Sequence, residues 1–374
     1  MRLVLFLGAG FSKSSGFPLM REFSMFSQDL AGYENHILCL HDCISYAQRT
    51  RAYIHGDIYN IEYLMSVLSI ASITNPDLEF TFKGKKVKVD KALEVLKELV
   101  WRVYSRIEDI HAINPNYQPF VQSLKRFLKS SRNSISIVTT NYDLLPEMIL
   151  YAIDHKATMP LEAESISLPV GYNAPPGCAS VSGMGGYKMY QKSDQKNLHK
   201  LHGSVNWFLK KRTKSQKVYC WDETFPRADH ETLFHTPFCV CRDAHIPDGY
   251  FPVIVPPSMI KEYKVPVILK AWQDASDAIS KADKIVFIGY SFPPSDTIMK
   301  FFMGTSLANN QSGCRLIIID KNTDKVNASL EEIFVNDLHS SIDMITIDFM
   351  ELIGSSSSSI FRSDAGFAHY LNSL

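Results

Sequence analysis

The sequence predicts an α/β fold: a Rossmann-like doubly wound parallel sheet with a large all-α insertion and a small irregular lobe. Short apolar runs rich in β-branched residues recur along the chain, at Leu3–Leu7, Ile135–Thr139, Val253–Val255, Lys284–Ile288, Arg315–Ile319 and Met344–Ile347. They are continuous rather than alternating, as expected of strands buried on both faces of a parallel sheet. The runs lead into Gly, Asn or Asp and then into helical patterns, the alternation that builds a doubly wound sheet. The gap between the first and second runs is far longer than one crossover, and a Pro- and Gly-rich stretch follows the second.

Taken in order, Leu3–Leu7 opens the chain as a strand and breaks at Gly8-Ala9-Gly10. A signal-peptide reading of this apolar start is disfavoured, because no small-x-small cleavage site follows. Helical periodicity then recurs at Ile37–Ile54, Ile61–Ile73, Lys91–Ile110 and Phe120–Leu128, which defines an insertion over about 30–130. The segment from about 151 to 250 carries Pro169, Pro175-Pro176, Gly177, Gly183 and Gly185-Gly186, and reads as loops plus an irregular lobe. After the last run, Gly354 and Ser355–Ser359 form a flexible linker to a tail over about 354–374.

Composition is that of a globular protein: 374 residues, 45% hydrophobic and 21% charged, with 22 Phe and 17 Tyr to fill a core. General disorder is excluded. The 39 basic and 39 acidic residues give a formal charge of zero, so no global field attracts a polyanion. Two local clusters, Lys83-Gly84-Lys85-Lys86-Val87-Lys88 and Lys210-Lys211-Arg212 with Lys214 and Lys217, read more simply as a charged hairpin tip and a solvated loop. Direct nucleic-acid binding is not expected. An odd count of seven scattered cysteines points to a reducing cytoplasm rather than a disulfide framework, and no run is long enough to span a membrane.

The chemistry concentrates in five segments. Gly8-Ala9-Gly10 follows a strand, where glycines let backbone approach a pyrophosphate and a helix N-terminus supplies N–H donors. It is not the usual dinucleotide fingerprint, since Lys13 stands where the third glycine would fall. A tight turn without a ligand is the competing explanation. The pattern extends through Ser12, Gly16-Phe17-Pro18 and Arg21. Later come Thr139-Thr140-Asn141-Tyr142-Asp143, Leu201-His202-Gly203-Ser204, Gly289-Tyr290-Ser291, and Asp320 with Lys321-Asn322.

In this order the motifs resemble those of the sirtuin-like family of NAD-consuming enzymes, over Leu3 to about Asn322 apart from the two insertions. Gly8-Ala9-Gly10-x-Ser12 with Gly16-Phe17-Pro18-x-x-Arg21 is similar to that family's opening motif. Asn141 and Asp143 match its Thr-Gln-Asn-hydrophobic-Asp segment, His202 its catalytic His-Gly element, and Gly289 and Ser291 its Gly-Thr-Ser loop, with Tyr290 in place of Thr. Asp320 falls where the family binds the adenosine ribose. The resemblance implies NAD+ as substrate, Asn141 and His202 as catalytic, and Gly8, Ala9, Gly10, Ser12, Pro18, Arg21, Thr139, Asn141, Asp143, His202, Gly289, Ser291 and Asp320 as nucleotide contacts. Each has a plainer alternative: Asn141 or Asp143 as cap of the helix beginning near Leu144, Arg21 as a surface residue, Asp296 as a further cap. His199 competes with His202, and the glycine after His202 favours the latter.

Protein-deacylating sirtuins carry a zinc ribbon with two Cys-x-x-Cys pairs. Here Cys220 and Cys239-Val240-Cys241 lack that spacing; adding His230, His235 or His245 completes four ligands, but at a spacing that is not diagnostic, and no metal is expected. Loss of the ribbon argues against a deacylase. Asp57-Ile58-Tyr59-Asn60-Ile61-Glu62 instead resembles a helix start of bacterial sirtuin-like proteins in anti-phage defence. The resemblance thus implies an NAD+ glycohydrolase that depletes NAD+, acting in a homo-oligomer or with a partner such as a helicase-type ring ATPase. A protein deacylase and a non-catalytic NAD or ADP-ribose sensor are the alternatives.

Overall fold

The computed structural model describes residues 1–13, 15–27, 30–54, 56–105, 117–154, 195–210, 218–220, 246, 249–256, 265–293, 296–311, 313–333 and 341–346. The chain opens with β1 (Arg2–Leu7), the short α1 (Ala9–Lys13) and α2 (Phe23–Ser27). Next come α3 (Glu34–Arg49), α4 (Ile61–Thr74), the pair β2 (Glu79–Phe82) and β3 (Lys85–Lys88), α5 (Val89–Ser105) and α6 (Tyr117–Phe127). The chain returns through β4 (Ser134–Thr139), α7 (Leu145–Asp154) and β5 (Lys196–Lys200), followed by β6 (Gly203–Lys210), β7 (Val218–Cys220) and β8 (Tyr250–Ile254). It ends in α8 (Pro266–Ser280), β9 (Lys284–Ile288), α9 (Thr297–Ala308), β10 (Arg315–Asp320), α10 (Thr323–Ile333) and β11 (Ser341–Thr346).

A six-stranded sheet runs β11-β10-β9-β1-β4-β5, every neighbouring pair parallel. Counting these strands in chain order gives 3-2-1-4-5-6 when read from the β5 edge, the doubly wound order of a Rossmann-like fold. The central strand is buried from Leu3 to Leu7, and β9 is buried throughout. The chain leaves β1 toward β4 and later comes back beside it as β9, so the order reverses between β1 and β9. Ligands of such sheets bind at the carboxyl ends of the strands flanking this reversal.

Two strands differ from expectation. Val253–Val255 reads as a core strand, but β8 pairs antiparallel with β6 in a separate sheet of order β7-β6-β8. A short apolar run looks the same in any buried sheet, and its partner is set by tertiary pairing. The sixth core strand is β5, Lys-Asn-Leu-His-Lys, whose polar residues hide it from an apolar search.

The described part of the insertion is mostly helical, and the hairpin it contains is the expected basic tip. In β2–β3 the two turn residues Lys83 and Gly84 have φ of 51° and 70°, the left-handed pair that a tight hairpin turn requires. Helix α5 is the spine of the insertion, with Leu99 through Ser105 all buried. It packs on α3, α4 and β8. Trp101 Nε1 donates to Val205 O at 2.8 Å, and Tyr104 donates its hydroxyl to Pro18 O at 2.9 Å. Tyr117 at the start of α6 donates to Phe11 O. The insertion is thus fastened both to the small sheet and to the loop after β1.

Cys39, Cys43 and Cys314 are buried thiols outside any disulfide, and among the described residues no His, Cys, Asp and Glu group is placed to hold a metal. Cys178, Cys239, Cys241 and the serine linker with its tail lie outside the described residues. No described helix is long and apolar enough to cross a membrane.

Candidate functional site

The first part of the site is backbone against backbone at the β1/β9 reversal. Gly8 N donates to Ile288 O at 3.0 Å, and Gly10 N to Gly289 O at 2.9 Å. A Cβ built on Gly8 would lie 2.5 Å from Gly289 O and 2.6 Å from Tyr290 Cα, and one on Gly10 would lie 2.9 Å from Gly289 Cα. Gly289 itself has φ +62°, and its Cβ would meet Phe11 N at 2.4 Å. The glycines are therefore demanded by the contact of two loops, and the N–H groups of Gly8 and Gly10 are used inside the protein. Helix α1 that follows has only five residues.

Asn141 joins this loop pair to the end of β4. Its Nδ2 donates to Gly8 O at 2.9 Å and to Ser12 Oγ at 3.0 Å. A backbone carbonyl can only accept, so the amide nitrogen must face it. Thr139 supports the turn twice: its hydroxyl donates to Leu7 O at 2.9 Å and accepts from Asn141 N at 3.0 Å. The cap of α7 is Asp143, whose Oδ1 accepts from Leu145 N at 3.0 Å. Ser12 lies close enough to the Asp143 carboxylate to favour its charged form. Burial raises the Asp143 pKa, opposed by Lys200, the Leu145 N–H and Ser12.

Lys200 carries no signal in the sequence and holds this turn in place. Fully buried, its Nζ donates to Asp143 O, to Tyr142 O at 3.3 Å and to Glu147 Oε1 at 3.0 Å. Burial pushes the Glu147 pKa up while Lys200 draws it down. The buried ion pair thereby ties the edge strand β5 to the Asn141–Asp143 turn.

His202 follows β5 and is 1% exposed. Its backbone is clamped on both sides: Val255 N donates to His202 O at 2.9 Å, and Trp272 Nε1 donates to Leu201 O at 2.8 Å. Gly203 makes this crossing possible, with φ +86° and only 1.9 Å between a built Cβ and Val253 O. The imidazole packs against Trp272 (6.3 Å, stacked) and Tyr142 (6.4 Å). Neither ring nitrogen has a hydrogen-bond partner among the described residues. Burial lowers the His202 pKa, partly offset by Asp296, so the ring is neutral near pH 7 and able to take a proton. His199 is also buried, its pKa depressed to about 4 by burial, and the charges acting on it (Asp274, Lys270 and Asp277) all belong to α8.

Of the other residues, Tyr290 turns inward: its ring packs on Phe6 at 4.8 Å and its hydroxyl donates to Asp296 Oδ2 at 2.6 Å. Asp296 caps α9 through Met299 N. Phe292, just beyond, has φ 45°, a conformation costly for a non-glycine residue and often found at functional loops. Ser291 is half-buried, and Ala9 begins α1 half-buried. Asp320 ends β10, two strands from β1, with Oδ1 accepting from Asn322 N at 2.9 Å. Pro18 contributes its carbonyl to Tyr104, and Arg21 is exposed on a short 3₁₀ turn, Met20–Glu22, apart from the buried group.

Glu62 is a functional candidate that the sequence reading did not single out. Asn60 caps α4, accepting from Glu62 N at 3.0 Å and Tyr63 N at 3.3 Å, and this directs the Glu62 side chain inward. Glu62 Oε1 accepts from Tyr142 Oη at 3.0 Å and lies 3.9 Å from His202 Nδ1. Its pKa is pushed up to about 8, first by burial and then by Asp296, against the lowering effect of Tyr142. The available signal was a carboxylate three residues before Met65 on a helix face that buries Ile61, Leu64, Met65 and Leu68. A surface groove of about 500 Å³ opens on the same insertion, lined by Gln48, Tyr53, Gly56, Asp57, Ile58 and Tyr59, and contains none of the residues named for the site.

Among solved structures, the chain is similar to a sirtuin studied for the structural basis of substrate affinity: 15% identity, 94% of this chain and 91% of that chain covered, TM-score 0.37. It is also similar to a Sir2 in complex with the inhibitor EX-527, 2′-O-acetyl-ADP-ribose and a deacetylated p53 peptide: 13% identity, 94% and 90% covered, TM-score 0.33. No protein-family model matches the chain. No curated protein matches it either.

Proposed function

We propose that the chain is an NAD+ glycohydrolase that cleaves NAD+ to nicotinamide and ADP-ribose. The observation that carries this reading is the convergence of Ser12, Asn141, Asp143 and His202 at the carboxyl edge of the sheet, from segments far apart in sequence. Rupture of the nicotinamide–ribose bond develops positive charge on the ribose, and an oxygen nucleophile must be held in line with C1′. With Nδ2 committed to Gly8 O and Ser12 Oγ, Asn141 presents Oδ1 to orient that water and face the charge. The water adds to C1′ as neutral nicotinamide departs, and its proton passes to the neutral His202 ring. Both residues are buried, Asn141 after β4 and His202 after β5.

On this reading one nucleotide-binding unit spans 1–374, enlarged by the insertion over about 30–130 and the lobe over about 151–250. Gly8, Ala9, Gly10, Pro18, Arg21, Thr139, Gly289, Ser291 and Asp320 contribute its nucleotide contacts, and no metal takes part. The resemblance of Asp57–Glu62 supports a role as an NAD+-depleting effector of anti-phage defence, in a homo-oligomer and with a separate activator such as a ring ATPase. Incubating the protein with NAD+, alone and with candidate activators, releases nicotinamide, and Asn141→Ala and His202→Ala each lower the rate about 100-fold or more. An activated assembly that releases none overturns the proposal. Release that strictly requires an acylated peptide makes the chain a deacylase, and nucleotide binding without turnover makes it a sensor.

A further inference from the structure

We propose that Glu62, brought to the site by the helical insertion, is a positioning residue for His202: its carboxylate holds Nδ1–H, so that Nε2 is the nitrogen that takes the proton. The inference rests on the glycohydrolase reading and adds to it a residue outside the resembling core motifs. A neutral imidazole has one donor and one acceptor nitrogen, and the partner of the first decides which nitrogen acts as base. Here Nδ1 faces Glu62 Oε1 at 3.9 Å, outside hydrogen-bond reach but within about 1 Å of it. Catalytic hydrogen bonds often tighten in this way only when substrate is engaged.

Two other groups beside His202 have partners of their own among the described residues, and neither hydrogen-bonds its ring nitrogens. Asp296 uses Oδ1 for Met299 N and Oδ2 for Tyr290 Oη. Tyr142 donates its hydroxyl to Glu62 itself. Glu62 is not needed to start its own helix, since Asn60 supplies the cap. A Glu side chain 12% exposed, facing Tyr104, Tyr142 and Asp296, is costly to keep ionised. The imidazolium formed in the reaction is the cation that offsets this cost. In the step itself, a proton leaves the attacking water for His202 Nε2 while Nδ1–H stays with the Glu62 carboxylate. The ion pair then discharges by losing that proton to solvent after product release.

The pair titrates as a unit, and its working form has Glu62 ionised and His202 neutral. The rate of nicotinamide release from NAD+ therefore rises with pH along a limb near 8, the value to which Glu62 is pushed. Glu62→Gln keeps an acceptor for Nδ1–H but removes the charge. It moves the limb below the ordinary histidine range and lowers the plateau rate about tenfold or more, while Glu62→Asp retains a limb. Imidazole ¹⁵N resonances of His202, assigned by comparison with His202→Gln, report the same coupling without substrate. The wild type carries its proton on Nδ1, and Glu62→Gln shifts the titration to lower pH. If nicotinamide is released but neither limb, plateau nor ¹⁵N titration differs in Glu62→Gln, the proposal falls. If ¹⁵N titration responds to Glu62 while the activated wild type releases no nicotinamide, the coupling stands and the glycohydrolase reading fails.

Discussion

On the β1/β9 side of the site, Gly8, Gly10 and Gly289 press two loops together so closely that no side chain fits between them. On the β4/β5 side the same sheet edge is filled with ionisable groups: Lys200, Glu147, Asp143, His202 and, from the insertion, Glu62. The first half is rigid because its contacts are backbone, with no rotamer to change. The second half is held by charges in low dielectric, each of which is costly unless its partner is present. The second half thus carries most of the ionisable side chains, whereas the first offers the Gly8 carbonyl to Asn141. Substitutions on the two sides should accordingly fail in different ways.

The largest effect is expected at Lys200. Lys200→Met removes the donor to Tyr142 O, Asp143 O and Glu147; Tyr142 O keeps Val205 N, but the Glu147 carboxylate and the Asp143 carbonyl lose this partner in the interior. Breaking a buried ion pair from one side costs about 3–5 kcal/mol. Chemical denaturation of the double variant Lys200→Met/Glu147→Leu should return part of this, because it removes the stranded charge as well. A single-variant cost below about 1 kcal/mol would mean that the charged half is not held by charge at all.

Gly289→Ala probes the other half. The new methyl group would lie 2.4 Å from Phe11 N, and alanine would have to adopt φ +62°. Left-handed strain and displacement of the loop together should cost about 2–4 kcal/mol. No second substitution on a single side chain should restore the lost stability, since the obstructing atoms are backbone. This contrast with Lys200 is what a thermal or chemical unfolding comparison would test. Ready rescue by one neighbouring substitution would show that the loop contact is softer than its geometry implies.

Legibility in the sequence follows the same division. Strands β1, β4, β9 and β10 are readable because burial leaves them dominated by apolar, mostly β-branched residues, with Ser136 in β4 as an interruption. Glycine positions are readable too, and the structure adds a reason that their pattern does not show, the close contact with the loop after β9. By contrast, β5 is invisible: Lys196, His199 and Lys200 look like surface residues until α8 covers His199 and the β4 turn accepts Lys200. Glu62 is equally hidden, because the partner that gives it meaning, His202, lies in a segment separated from it by the whole of β2–β5. Side chains that draw their role from a distant partner leave no local pattern.

The smallest of the three stability effects comes from His199, which belongs to β5 but turns to α8 rather than to the site. Its pKa falls from 6.5 to about 4 on folding, because burial penalises the charged ring. A depressed folded pKa means that the unfolded chain binds the proton more readily, so stability is complete above 6.5 and is lost as pH falls from 6.5 toward 4. That gap corresponds to at most about 3 kcal/mol. Denaturation midpoints measured across this range should drop toward acid in the wild type and drop less in His199→Leu, whose similar bulk fills the strand face without titrating. His202, buried with its pKa also lowered, adds to the slope in the same direction. Glu62 opposes it, because a carboxyl whose folded pKa is raised to about 8 favours the folded state below 4.5 and loses that advantage as pH rises to 8. An unchanged acid slope in His199→Leu would assign the loss to His202 and would place the acid-sensitive charge inside the site, not beside it.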